Sequence, residues 1–139
     1  MDIFDPKKRS DIMSRIRGKN TKPELLVYRY LRKNGVYFQK HYRSKQKVVL
    51  DLALPRKKKA VFIDGDFWHG RTLERVLERR GEDDFWVLKL RRNIERDLQQ
   101  RTLLEANGWS ILQVWESDLM KKKTQEQTLQ RIVDFLQAT

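Results

Sequence analysis

Residues 47–70 read KVVLDLALPRKKKAVFIDGDFWHG, two apolar runs joined by a short basic connection. The runs, 47–54 and 58–64, are rich in Val, Leu, Ile and Phe, with breakers at Ser44 and Pro55. Such runs read as strands. VVLDLAL is apolar except for Asp51, and AVFI is apolar throughout. A strand that is apolar on both faces belongs in a sheet that helices cover on both sides. The second run then ends in Asp64, Gly65, Asp66, Phe67, Trp68, His69 and Gly70, where a small polar turn would suffice.

Elements on either side complete an α/β pattern. Upstream, VYFQKHYR (36–43) reads as another strand. Before it, a helix starts near Lys22, where Thr21 and Glu24 fit a capping box and Pro23 occupies the tolerated first turn. It runs to the Asn34-Gly35 stop. SDIMSRIR (10–17) makes a short helix capped by Ser10, with Ile12, Met13 and Ile16 on one side, and Gly18 stops it. Residues 1–9 read as a mobile basic arm. Downstream, 71–83 is a charged connection with room for one helical stretch. A long helix follows over 84–106, with Val87, Leu90, Ile94 and Leu98 at helical spacing. Asn107-Gly108 ends it, WSILQVW (109–115) is a fourth strand, and a last helix carries Leu129, Ile132, Val133 and Leu136. The expectation is one α/β domain over 1–139, a central mixed sheet between helices. Strand order does not follow from this pattern.

Composition narrows the partners. The 139 residues hold 31 Lys and Arg against 19 Asp and Glu, a net charge of +12 and a pI near 10.1. That bias points to a polyanion, most often nucleic acid. Cysteine is absent, which excludes disulfides and thiolate zinc sites. No apolar run approaches the ~20 residues that span a bilayer. The first residues lack a signal peptide's pattern, so the expectation is a cytoplasmic protein with no membrane partner.

Several residues can carry chemistry. Asp51 is the sole charge in its strand, and a buried carboxylate needs an ion pair or a metal. Either satisfies it. If 47–54 and 58–64 form a hairpin, Asp51 and Asp64 lie near one sheet end, and two hard oxygen ligands suit Mg²⁺. A metal so held can grip a phosphate oxygen and activate water. His69 is either a packing residue or a proton acceptor near neutral pH. Asp97 shares a helix face with Asn93 and can orient the imidazole, or it can pair with Arg92, Arg96 or Arg101. Glu24 has its capping role. Phe67, Trp68 and Trp86 are core residues or stacking surfaces for bases. The clusters at 7–9, 57–59 and 121–123 are solvated faces or phosphate contacts.

Taken in order, RSDIMSRIRGKNTKPE, the strand aspartate at 51, VFIDGDFWHG, FWVLKLRRNIERD and GWSILQVWESDL resemble the very-short-patch repair (Vsr) DNA mismatch endonucleases. The resemblance runs from about Arg9 to Leu119. It implies a restriction-endonuclease-like core and a Mg²⁺-dependent enzyme, with Mn²⁺ as a substitute, that nicks double-stranded DNA, with T:G mismatches as a target. Asp51 matches the metal aspartate, and Ile63 the position that offers its backbone carbonyl to the metal. His69 matches the histidine of proton transfer, Asp97 an acid beside it, and Glu24 an N-terminal glutamate of the site. Phe67, Trp68 and Trp86 match aromatics that wedge into the base stack. Met13 falls in a segment placed against the opposite groove. A monomer with repair proteins as partners is the matching expectation.

Two departures stand out. Family members carry a structural zinc on cysteines and histidine, where this chain has Asp66, Arg71 and Ser117, so no structural zinc is expected. The Gly-Arg-Pro-Asp form before the metal aspartate is replaced by Val48-Val49-Leu50-Asp51. These changes bear on mismatch specificity more than on catalysis. Two rival readings are a phage or intron-homing nuclease of the same fold and a catalytically silent DNA-binding module.

Overall fold

The computed structural model describes residues 20–138. The expected basic arm, the helix at 10–17 and Met13 lie outside that range.

Helix α1 (Lys22–Lys33) begins as its sequence requires. The Thr21 side chain accepts from the Glu24 N–H, and Glu24 Oε1 accepts from the Thr21 N–H at 3.1 Å. A cap of this kind contributes roughly 0.5–2 kcal/mol. Three strands follow: β1 (Gln39–Arg43), β2 (Val49–Leu54) and β3 (Lys59–Asp64), with a 3-10 turn at Pro55–Lys57 between the last two. The charged connection does contain a helix, α2 (Leu73–Arg80). Helix α3 (Phe85–Ala106), strand β4 (Ser110–Trp115) and helices α4 (Glu116–Met120) and α5 (Gln125–Gln137) complete the described residues.

Within this range the sheet has four strands in the order β1-β2-β3-β4. β1, β2 and β3 are antiparallel neighbours, which bears out the 47–64 hairpin, while β4 runs parallel to β3 from Lys59↔Ser110 to Asp64↔Trp115. The mixed sheet flanked by helices is the α/β architecture expected.

Both faces of the sheet are covered. On one, Leu52, Val61, Ile63 and Val114 pack against Val27, Tyr28 and Leu31 of α1, Leu119 of α4 and Leu129, Ile132, Val133 and Leu136 of α5. On the other, Leu50, Ala53, Ala60 and Phe62 pack against Leu104 of α3 and Trp109. Each fully buried side chain of this size contributes about 1.5–3 kcal/mol. Buried Lys59 donates to the Phe135 carbonyl at 2.6 Å and to that of Ala138, which anchors the end of α5 to β3. Among the described residues no helix is long and apolar enough to cross a membrane.

One expectation on α3 needs correction. Leu98 is 65 % exposed and does not belong to the buried stripe. Val87, Leu90, Ile94, Asp97, Arg101 and Leu104 alternate by three and four residues, the helical period. The stripe is apolar at both ends and turns polar in the middle, over the site described next.

Candidate active site

The parallel pair β3–β4 brings two strand ends together, so Asp64 lies beside Trp115 and the first residue of α4, Glu116. Crevices outside the carboxyl ends of parallel strands are where α/β proteins gather functional groups. Here the gathered groups come from α1, β1, β2, the loop after β3, α3 and α4.

Asp51 stands where the β2–β3 pairing stops. The ladder runs through Leu54↔Lys59, Ala53↔Ala60 and Leu52↔Val61. Beyond it, Asp51 Oδ2 accepts the Ile63 N–H at 2.7 Å, so a side chain takes over the role of the next backbone acceptor. The N–H and C=O of one strand residue point to the same neighbour. The Ile63 carbonyl is therefore directed to the Asp51 side, while its apolar side chain stays in the core. Asp51 has no cationic ion-pair partner among the described residues. Burial raises its pKa to about 7, against the lowering effect of the Ile63 hydrogen bond and with help from the Glu24 and Asp64 charges.

Glu24 divides its two carboxylate oxygens between the cap and the groups facing Asp51. One oxygen closes the capping box; the other, Oε2, accepts from the Tyr28 hydroxyl at 3.3 Å and lies 3.5 Å from His41 Nε2. Glu24, His41 and Asp51 each offer one ligand atom within 4.8 Å of the others. Two carboxylates beside a strand carbonyl form a hard-oxygen set that fits a divalent cation such as Mg²⁺.

His69 forms the other half. Its Nδ1 lies 2.5 Å from Asp97 Oδ2 and 3.7 Å from Asp64 Oδ1. With Nδ1–H held by Asp97, Nε2 is the nitrogen left to exchange a proton. Burial depresses the His69 pKa, but the Asp97 hydrogen bond and the Asp64 and Asp97 charges outweigh it, and the net shift is upward. Asp97 moves the opposite way: burial raises it, and its bond and attraction to His69 bring it below the ordinary carboxylate value. Asp64 does not join the cation group. It is 2 % exposed and committed to Arg101 Nη2 at 2.8 Å and Gln113 Nε2 at 3.1 Å. The Arg101 guanidinium, packed 4.2 Å above the Phe62 ring, compensates that buried charge. His69, Asp64, Asp97 and Arg101 line an open cavity of about 440 Å³. A larger hollow of about 800 Å³ lies beside Tyr37, Arg56 and Lys57 and has no carboxylate or imidazole among the described residues of its wall, so size alone does not locate the chemistry.

The loop that carries His69 is tied down at several points. Asn93 Nδ2 donates to the Trp68 carbonyl at 3.0 Å, and the His69 N–H donates to the Gly65 carbonyl at 3.1 Å. Asp66 accepts from the Ser117 N–H at 2.9 Å and from its hydroxyl at 2.5 Å. Arg71 Nη1 reaches Asp66, Ser117 and Asp118 at 3.1–3.2 Å, and its guanidinium lies 5.2 Å over Trp115. The three residues singled out for the missing zinc ligands thus form a polar clasp between this loop and α4.

Phe67, Trp68 and Trp86 meet in one aromatic cluster, with ring centroids 5.1–5.6 Å apart. They differ in access. Trp86 is 2 % exposed inside the core, whereas Phe67 and Trp68 are only partly buried. A base could reach Trp86 only if the cluster opened.

Sequence reasoning missed His41 and Glu116. Glu116 Oε1 comes within 3.2 Å of where a Cβ on Gly65 would stand, so that glycine allows the close approach. Burial, then the Glu24 and Asp66 charges, raise the Glu116 pKa. Nothing local marks Glu116; only the β3–β4 pairing brings it here.

A mixed sheet with carboxylates at its rim and an oriented histidine beside them defines a restriction-endonuclease-like nuclease fold. Compared with known proteins, residues 1–75 match the family model of the DNA mismatch endonuclease Vsr. The chain is 37 % identical over 135 residues to the type II nicking enzyme V.NmeAIP of Neisseria meningitidis, covering 95 % of this chain and 94 % of that protein. It is 38 % identical over 123 residues to V.HpaIIP of Haemophilus parainfluenzae, covering 87 % and 86 %. With the DNA mismatch endonuclease Vsr of Escherichia coli K12 it shares 27 % over 145 residues, covering 97 % and 87 %. The chain belongs to the Vsr DNA mismatch endonuclease family.

Proposed function

We propose that this protein is a Mg²⁺-dependent endonuclease that nicks one strand of double-stranded DNA by hydrolysis, with T:G mismatches among its targets. The observation that carries this reading is the pairing of the Glu24–His41–Asp51 group with an Asp97-oriented histidine, His69, on the loop that follows the strand whose Ile63 N–H bonds Asp51. Nicking by the relatives named above and a net charge of +12 support DNA as the substrate.

Asp51, the Ile63 carbonyl and Glu24 would hold the cation, which offsets charge on the scissile phosphate when bound. His69 Nε2 takes a proton from the attacking water. The water oxygen forms the new bond to phosphorus as one phosphodiester P–O bond breaks. Asp97 keeps His69 in the accepting tautomer and steadies the imidazolium that results. Asp64, locked by Arg101 and Gln113, adds a fixed negative charge behind the same ring. Phe67 and Trp68 stack on bases opened at the mismatch, the step that is easiest to unstack.

The test is nicking of matched and T:G-mismatched duplexes with Mg²⁺, with EDTA, and with Mg²⁺ restored. Faster nicking of the mismatched duplex that EDTA stops and Mg²⁺ restores is the expected result. Metal-independent cleavage, or none under any condition, would contradict the reading.

A further inference from the structure

His41 has no role in the chemistry above, yet its placement is unusual. Its backbone is left-handed, with φ 52°. A residue with a Cβ holds that conformation only where its surroundings enforce it. Lys40 pairs with Leu52 and Tyr42 with Leu50, so His41 stands opposite Asp51 on the rung between them.

Both strands break their alternation at that rung. A regular strand returns to the same face every second residue. Leu50 nevertheless packs with Phe62 and Trp109, while Leu52 packs on the opposite face with α1 and α5. On β1, Tyr42 packs with the Trp109 cluster, while the Lys40 ammonium lies 5.2 Å over the Tyr28 ring, on the other face. Irregular strand pairs of this kind re-aim side chains beside active sites. This one aims the imidazole at α1, where Nε2 lies 3.5 Å from Glu24 Oε2 and 3.2 Å from Tyr28 Oη. The Tyr28 hydroxyl has one proton and a second acceptor, Glu24 Oε2, at 3.3 Å. Donated to Glu24, that proton leaves the Nε2 lone pair open.

We propose that His41 is a nitrogen ligand of the active-site cation, completing a Glu24–His41–Asp51 set and giving the site a preference for first-row transition ions over Mg²⁺. This rests on the reading of Asp51 as a metal ligand. An imidazole suits ions such as Co²⁺ and Ni²⁺, whereas Mg²⁺ selects oxygen. The same site would then bind Mg²⁺ through its oxygens and Co²⁺ more tightly through all three groups.

Pulsed EPR of Mn²⁺ bound to excess protein tests the ligand directly, and competitive titration of Co²⁺ against Mg²⁺ tests the preference. The chain has two histidines, which makes assignment simple. Imidazole-nitrogen coupling is expected in the wild type and in His69→Ala, and should vanish in His41→Asn. Asn tolerates the left-handed backbone, so that variant keeps the strand geometry. Its Co²⁺ affinity should fall by at least the roughly tenfold that even an outer-shell partner is worth, with a smaller change for Mg²⁺. Absent nitrogen coupling in the wild type, or coupling that persists in His41→Asn, would overturn the proposal while leaving the Asp51 reading intact. Unchanged Mn²⁺ affinity in Asp51→Asn would overturn both.

Discussion

His69 Nδ1 and Asp97 Oδ2 lie 2.5 Å apart, joining the loop after β3 to the middle of α3. This contact orients the imidazole and, with the Asp64 charge, outweighs burial to raise its basicity. His69→Ala should slow single-turnover nicking by roughly 10²–10⁴-fold, the span for losing a general acid or base. DNA affinity should change little, because one side chain adds little to a polyelectrolyte contact. The base must be unprotonated to act, and its pKa is raised, so the rate should climb as pH rises through that value and then level off. Asp97→Asn removes a cause of the raised pKa and should move the climbing limb to lower pH. A pH–rate profile of the two proteins checks the direction.

Asp51 leads to a second pH dependence, with the opposite consequence for stability. Its folded pKa of about 7 lies above the ordinary carboxylate value, so from about pH 4 to 7 the unfolded chain gives up this proton first. Metal-free stability should therefore decline across that window and stay lower above it. Asp51→Asn removes a half-buried, unpaired charge and should raise the stability of the metal-free protein at pH 8 by at least about 1 kcal/mol, near the worth of one pKa unit. Metal binding must displace the same proton, so affinity should increase with pH up to about 7. Calorimetry in buffers of different ionisation enthalpy reads the proton release.

The aromatic cluster predicts a split between stability and recognition. Trp86→Ala should cost the ~3–5 kcal/mol of a buried aromatic and lower Tm strongly. Trp68, half-buried, should cost less on truncation and should weaken DNA binding, more on a mismatched duplex than on a matched one. Melting curves and binding isotherms at fixed salt separate the two. A large Tm loss in Trp68→Ala with no selective effect on DNA would place it with Trp86 as a packing residue.

Gly70 allows the catalytic loop to close onto α3. Its φ is 80°, and a Cβ there would stand 2.2 Å from Ile94 Cδ1. Gly70→Ala should destabilise the protein by roughly 1–3 kcal/mol from backbone strain alone, with the clash added. It should also slow nicking, because His69 sits one residue away. Tm and single-turnover rates on the same preparation check both effects.

Features with a local cause were legible in the sequence. The apolar runs around Asp51 and before Asp64 had to be strands, and Thr21, Glu24 and Pro23 marked where α1 starts. Asp51, His69 and Asp97 stood out because a lone charge in an apolar run, or a histidine after two aromatics, breaks a pattern. His41 breaks none: in QKHYR it is one polar residue among others, and neither glycine nor asparagine announces its left-handed backbone. Leu98 was misplaced because four residues after Ile94 is as good a helical step as three, and the step taken leads to Asp97. The ion pair between Asp64 and Arg101, a turn beyond Asp97, joins β3 to a distant helix, and nothing in VFID announces it. Glu116 needed the parallel pairing of two strands far apart in the chain.

A single-turnover nicking assay on a T:G-mismatched duplex with Mg²⁺, run with the wild type and with Asp51→Asn, tests the nuclease centre itself. The wild type should cut one strand, and Asp51→Asn, still folded and still bound to the duplex, should not cut. Equal cleavage by both proteins, or no cleavage by the wild type, would contradict the assignment of Asp51 and its neighbours as the nuclease centre.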